Sequence, residues 1–217
     1  MKYQCCIFQK ALIGIEDFWL MNEFETHPWK WHVPLDAKCL VIGTHPTHRK
    51  FWAFEFFYPN KRNFFWKILS AIAGQELQHK SGDDAVEERI QLLSSLKVGV
   101  TDMGLKIMRL EESSKDEMLS AIEFMDIDQI LHEYPTITTI LLTSSTGKVS
   151  ARAWLQSYVA MRCATIEFKK GEKESKYQLT ASRCLRVIIL PSPSPRYANQ
   201  NRLEQMISIY RQAILTA

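Results

Sequence analysis

Four short apolar runs punctuate the chain, at residues 37–43, 96–103, 137–142 and 184–190, and each is followed by a polar or glycine-containing stop. Runs of this length, rich in Val, Ile and Leu and without alternation, predict strands buried on both faces. Between them the period changes. Phe64, Phe65, Ile68, Leu69 and Ile72 recur at helical spacing with Gly74 as a stop, and residues 83–96 form a second amphipathic stretch. A charged loop at 111–117 leads to a helix ending near His132. Residues 149–161 predict a further helix, and Leu203, Met206, Ile207, Tyr210 and Ile214 mark the last one. Strands alternating with helices predict an α/β fold, a central parallel four-stranded sheet flanked by helices. Residues 1–26 carry apolar positions without a clear period and read as an extension packed on the core, leaving 27–217 as one domain. Residues 169–178, KKGEKESKYQ, read as a solvated charged loop.

Composition adds bounds. With 217 residues, 46% of them hydrophobic, the chain can bury a full core without disulfides or metal. Its five cysteines are scattered and contain no C-x-x-C pair, which argues against a disulfide framework, a structural zinc or an iron–sulfur cluster. Lys10, Glu16 and Asp17 interrupt any signal-like run and no stretch is long enough to span a membrane, so the expected location is the cytoplasm. A net charge of +3 does not by itself imply a polyanion partner, although clustered cations can make one face basic.

Candidate chemistry concentrates at strand ends. The run at 37–43 stops at Gly43, and the loop beyond it carries Thr44, His45, Pro46, Thr47, His48, Arg49 and Lys50 before an aromatic block at 51–58. In open α/β sheets ligands bind beyond the carboxyl ends of strands. His27, His32, His45 and His48 match no common metal-ligand spacing, and no metal is expected. Asp102 ends the second strand, where it either caps a turn or serves a site. Residues 143–147, small and polar before a helix, form either an ordinary βα connection or an anion site built from free N–H groups. Finally, Pro191, Pro193 and Pro195 stiffen a loop that carries Ser192 and Ser194 and holds Arg196 and Tyr197 at its tip. That loop is either a connector or a rigid probe.

Three separated segments together resemble the uracil-DNA glycosylase superfamily, most closely its mismatch-specific thymine/uracil and deoxyinosine branches. Residues 40–67 are similar to a strand with a G-x-N-P loop followed by Y-P-x-x-x-N-x-F-W-K, matched by Tyr58, Pro59, Asn63, Phe65, Trp66 and Lys67. VGVTDM at 98–103 is similar to the family's G-x-T-N-M strand end, with SSKD at 113–116 resembling the loop beyond. LPSPSPRYA at 190–198 resembles the loop that compresses the DNA backbone and wedges the duplex. The segments stand in family order and bracket about three-quarters of the chain.

The resemblance implies a uracil-DNA glycosylase-like fold and a monofunctional glycosylase that flips a deaminated base, uracil or hypoxanthine, and hydrolyses its N-glycosidic bond to begin base-excision repair. It assigns Tyr58 to stacking on the flipped base, Asp102 and Asn63 to the base pocket, and Gly43 and Thr44 to backbone stabilisation of the departing base. Pro191, Ser192, Ser194, Arg196 and Tyr197 grip and wedge the duplex. His45 stands where the family carries Asp or Asn to position water, Asp102 replaces an Asn, and Leu190 replaces the His of the classical uracil enzymes. The partner implied is DNA with a damaged or mismatched base, bound by a monomer without cofactor. The alternative is a weak or inactive member that binds damaged or single-stranded DNA; a third reading keeps the fold with a ligand other than DNA.

Overall fold

The computed structural model describes residues 24–109 and 119–217. The expectations for 1–23 and for the SSKD segment at 113–116 lie outside the described residues. The elements run β1 Phe24–Thr26, β2 Cys39–Gly43, α1 Phe65–Ala73, α2 Gly82–Leu96, β3 Val98–Asp102, β4 Gly104–Arg109, β5 Leu119–Phe124, α3 Ile127–Glu133, β6 Thr139–Leu142, α4 Ala151–Ala160, β7 Glu174–Thr180, β8 Arg183–Ile189 and α5 Gln200–Leu215.

The four apolar runs become β2, β3, β6 and β8, mutually parallel in the order β3-β2-β6-β8. The sheet is five-stranded rather than four-stranded, because β7 pairs antiparallel with β8 at the edge. β7 begins within the stretch read as a charged loop and runs two residues past it. Its one fully buried side chain is Tyr177, so the apolar signal of a strand is nearly absent. Two strands have no signal in the sequence: β4 and β5 pair antiparallel and with β1 make a separate three-stranded sheet, and the helix expected to end near His132 is Ile127–Glu133. The charged loop expected at 111–117 lies outside the described residues.

Side-chain alternation on the central strands divides the core in two. Leu40, Ile42, Ile140, Leu142, Val187 and Ile189 pack with α3, α4 and the small sheet, through Ile130, Trp154, Leu155 and Ile107. Val41, Val100, Leu141 and Ile188 face α1, α2 and α5, through Phe65, Leu69, Leu92, Met206 and Tyr210. α1 ends as expected at Gly74, whose φ of 65° is the left-handed cap that glycine tolerates best. No helix among the described residues is long and apolar enough to cross a membrane.

Candidate active site

The chain passes from β2 to β3 on one side and returns through β6 on the other, so the order of the parallel sheet reverses at β2. A cleft of about 1280 Å³ opens beyond the carboxyl ends of the parallel strands there. Gly43, Thr44, His45, Tyr58, Asn63, Asp102 and the whole loop 191–197 line it. The structure thus gathers into one cleft the residues that the resemblance assigns to base and DNA contact.

Register explains the centre of that cleft. Gly43 pairs across the sheet with Asp102, the last residues of adjacent strands. A Cβ on Gly43 would lie 2.1 Å from Asp102 Oδ1 and 3.1 Å from the Tyr58 hydroxyl. Only glycine lets the carboxylate and the phenol converge over the strand end. Backbone N–H groups of Met103 and Gly104 donate to the carbonyls of Gly43 and Thr44, tying the turn to the start of β4.

Asp102 is buried, and its Oδ2 lies 3.0 Å from Nε2 of His27, itself buried. Sequence reading weighed His27 only as a metal ligand; a partner 75 residues away leaves no local signal. The other ring nitrogen, Nδ1, sits 2.7 Å from the Trp29 carbonyl oxygen and 3.2 Å from the Trp29 backbone nitrogen. The carbonyl oxygen can only accept from Nδ1 and the backbone N–H can only donate to it, so the Trp29 backbone holds this edge of the ring in either tautomer while Nε2 faces Asp102 Oδ2.

His45 is buried edge-on to His27, with ring centroids 5.3 Å apart. Its Nδ1 donates to the Pro46 carbonyl at 3.2 Å, while Nε2 has no hydrogen-bond partner among the described residues. Burial lowers its pKa from 6.5 to about 3, and the fields of His27 and Arg109 act in the same direction against the opposing Pro46 carbonyl. The ring is neutral at physiological pH, with a bare lone pair on Nε2. His32 and His48 are elsewhere: His32 forms a backbone bridge with Val100, and His48 accepts from Lys50 N–H in the turn Arg49–Phe51.

Tyr58 adopts a left-handed φ of 51°, costly for a side chain with a Cβ. Two contacts hold it there. Phe65 stacks on the ring at 3.9 Å between centroids, and the hydroxyl lies 2.9 Å from Thr143 Oγ1. Thr143 donates its own proton to the Ile42 carbonyl, so Tyr58 is the donor. Asn63 Oδ1 accepts from Phe65 N–H at the entry of α1, which leaves the amide NH₂ as its contribution to the cleft.

The turn after β6 is not the anion site that its sequence allowed. Ala151 N–H donates to Ser144 Oγ, Arg152 N–H to Ser144 O, and Ala153 N–H to Ser150 Oγ. The first donors of α4 are therefore consumed within the loop.

The 191–197 loop is tethered at both ends. Tyr210, wholly buried, donates to the Pro191 carbonyl at 2.7 Å, and Phe64 N–H donates to the Pro193 carbonyl at 2.9 Å. Tyr197 and Ala198 N–H both donate to Ser194 O, and Arg202 donates to the Tyr197 carbonyl while lying over its ring. Arg196 and Tyr197 remain exposed at the tip. Arg62, Lys148, Lys173, Arg186 and Arg196 line the cleft against Asp102 and Glu174, which gives its mouth a positive balance suited to an anionic polymer.

No family model matches the chain, and no curated protein sequence matches it. Among solved structures, the solution NMR structure of a "putative Uracil DNA glycosylase" from Methanosarcina acetivorans superposes with a TM-score of 0.56, covering 88% of this chain and 99% of that one at 16% identity. At that identity the likeness is one of fold, and the chain shares the α/β architecture of that structure.

Proposed function

We propose that the protein is a monofunctional DNA glycosylase that flips a deaminated base, uracil or hypoxanthine, into this cleft and hydrolyses its N-glycosidic bond. The observation that carries the reading is the bare, buried Nε2 of His45 in the cleft that also holds Asp102, Tyr58 and the serine–proline loop. Tyr58, braced from behind by Phe65, offers a rigid ring for the flipped base. Asp102, helped by the Asn63 amide, reads the base edge. Bond cleavage sends the electron pair to the base and leaves an oxocarbenium-like sugar; backbone N–H groups at Gly43 and Thr44 stabilise the departing anion.

Water then attacks the sugar carbon and loses a proton, which ends on the departed base anion, yielding an abasic site and neutral free base. An imidazole with a pKa of about 3 is a weak base, so His45 acts chiefly by accepting a hydrogen bond that aims the water. Its neutrality matters as much, since an imidazolium there would repel the cationic sugar. On the DNA side, Ser192 and Ser194 grip phosphates, while Arg196 and Tyr197 fill the gap left by the flipped nucleotide. Pro191, anchored by Tyr210, sets the loop's height.

The test is single-turnover cleavage of labelled oligonucleotides carrying uracil or hypoxanthine, single-stranded and opposite each normal base, with alkali revealing abasic sites. Cleavage that disappears in His45→Ala while DNA affinity persists supports the enzyme. The low basicity of His45 also favours a second reading, a damaged-DNA binding module: binding without cleavage, with activity created by His45→Asn, would establish it. Absence of both binding and cleavage would sink the DNA reading.

A further inference from the structure

The loop that carries His45 is held by its carbonyls. Met103 N–H donates to Gly43 O and Gly104 N–H to Thr44 O, each at 3.0 Å, and the Trp52 indole N–H donates to Thr47 O at 2.6 Å. A further tie comes from outside the cleft. Arg109, on β4 of the small sheet, donates from Nη2 to the Pro46 carbonyl at 2.9 Å, and the same oxygen takes the Nδ1 proton of His45 at 3.2 Å. Proline has no N–H, so this oxygen is the one backbone hydrogen-bonding atom of residue 46, and its two lone pairs suit two donors.

Arg109 is itself clamped. Its side chain is 4% exposed, and its guanidinium forks onto Glu25 of β1, Nε to Oε1 at 2.6 Å and Nη2 to Oε2 at 2.8 Å. Glu25 stands opposite Ile107 in the antiparallel register of β1 and β4, diagonal to Arg109. A planar guanidinium held by two such bonds cannot turn. One N–H of Nη2 goes to Glu25, and the plane of the fork aims the other at Pro46. Neither Arg109 nor Glu25 lines the cleft.

We propose that Arg109 is a positioning residue: aimed by Glu25, it pins the Pro46 carbonyl where that oxygen keeps the proton of His45 on Nδ1, so that Nε2 remains a bare acceptor for the attacking water. The proposal rests on the glycosylase reading of the cleft. A neutral imidazole carries its proton on either nitrogen, and the hydrogen bond made by one decides the state of the other. With the carbonyl released, the proton is free to move to Nε2. An Nε2–H would occupy a lone pair of the water oxygen and leave the water's own proton without an acceptor. Burial first, then the field of His27 and last that of Arg109 oppose a second proton on His45, so removing Arg109 leaves the ring neutral and changes its tautomer rather than its charge.

The experiment reads ring state and turnover separately in the whole chain. Heteronuclear NMR of the imidazole nitrogens at neutral pH, with the His45 signals assigned by their loss in His45→Asn, distinguishes a protonated nitrogen from a bare one. The native ring is expected to show Nδ1–H and a bare Nε2. Arg109→Leu should move it toward a mixture containing Nε2–H and slow single-turnover cleavage of the preferred uracil or hypoxanthine oligonucleotide by roughly 10- to 100-fold, the scale of a misplaced reacting group. Equilibrium binding of that oligonucleotide should stay nearly unchanged. A merely structural role for Arg109 would not exchange the states of the two ring nitrogens. Should Arg109→Leu fail to fold, Glu25→Gln tests the same chain of contacts: the Gln NH₂ must meet one guanidinium N–H donor to donor, the fork opens, and the same change of ring signals is expected with a smaller loss of rate. A native His45 protonated on Nε2, a variant ring in the native state, or an undiminished rate in a folded variant overturns the proposal and leaves the glycosylase standing. A native chain that cleaves none of these oligonucleotides overturns the glycosylase reading and the catalytic use of Arg109 with it.

Discussion

His27 and His45 meet edge to face, ring centroids 5.3 Å apart and planes at 79°, and of the two Nε2 atoms only that of His27 has a partner among the described residues. The pair divides two tasks between chemically identical side chains. One imidazole is committed to a carboxylate; the other is kept neutral by burial and by its neighbour's field.

The neutrality of His45 makes stability depend on pH. An unfolded histidine takes up its proton near pH 6.5, whereas the folded chain keeps His45 neutral down to about pH 3. Between those values the unfolded state binds more protons, so the His45 contribution is complete above about 6.5 and is lost as pH falls toward about 3. The expected slope is about 1 kcal/mol per pH unit within that window. Urea unfolding at pH 7 and pH 5, compared between the native chain and His45→Asn, measures it; equal slopes would count against a buried neutral imidazole.

Gly43→Ala drives a methyl group to within 2.1 Å of Asp102 Oδ1. Asp102 or the β2–β3 strand ends must shift, at a cost of about 1–3 kcal/mol in stability. The expected outcome is a folded, destabilised protein whose affinity for uracil-containing DNA drops more than its affinity for undamaged DNA. Thermal melts and anisotropy titrations read the two effects separately.

Tyr58→Phe keeps the ring stack on Phe65 and deletes the hydrogen bond to Thr143 Oγ1. It should cost about 1 kcal/mol, and combining it with Thr143→Val should cost less than the sum of the two, because both remove the same bond. Additive losses in a double-mutant cycle would show that the hydroxyl is held by something else. Tyr58→Ala, which removes the ring, should instead weaken binding of damaged DNA.

DNA binding through the basic cleft should weaken steeply with salt. Arg196→Ala is expected to lower the dependence of log K on log salt by about one charge's worth, roughly 0.9 for duplex DNA if Arg196 meets one phosphate. An unchanged slope with a lost preference for damaged duplex would move Arg196 from phosphate contact to wedging. An unchanged slope and unchanged preference would remove it from the interface.

Residues close in the chain determined much of this protein. The four buried strands announced themselves as apolar runs, α1 and its stop at Gly74 followed from spacing, and the three prolines of 191–195 fixed a stiff loop before any coordinate was known. These are local properties, written in period and backbone chemistry. Tertiary structure decided what depends on distant partners. β7 exists because β8 offers an open edge to a polar segment, and β4 and β5 pair with each other without an apolar run to announce them. The helix-start donors near Ser144 were spent inside their own loop. Above all, the strand register set Gly43 beside Asp102 and brought His27 to its carboxylate across 75 residues of sequence. Hydrogen bonding and desolvation act through space, so the partners of His27 and the neutrality of His45 belong to the fold rather than to the segments that carry them.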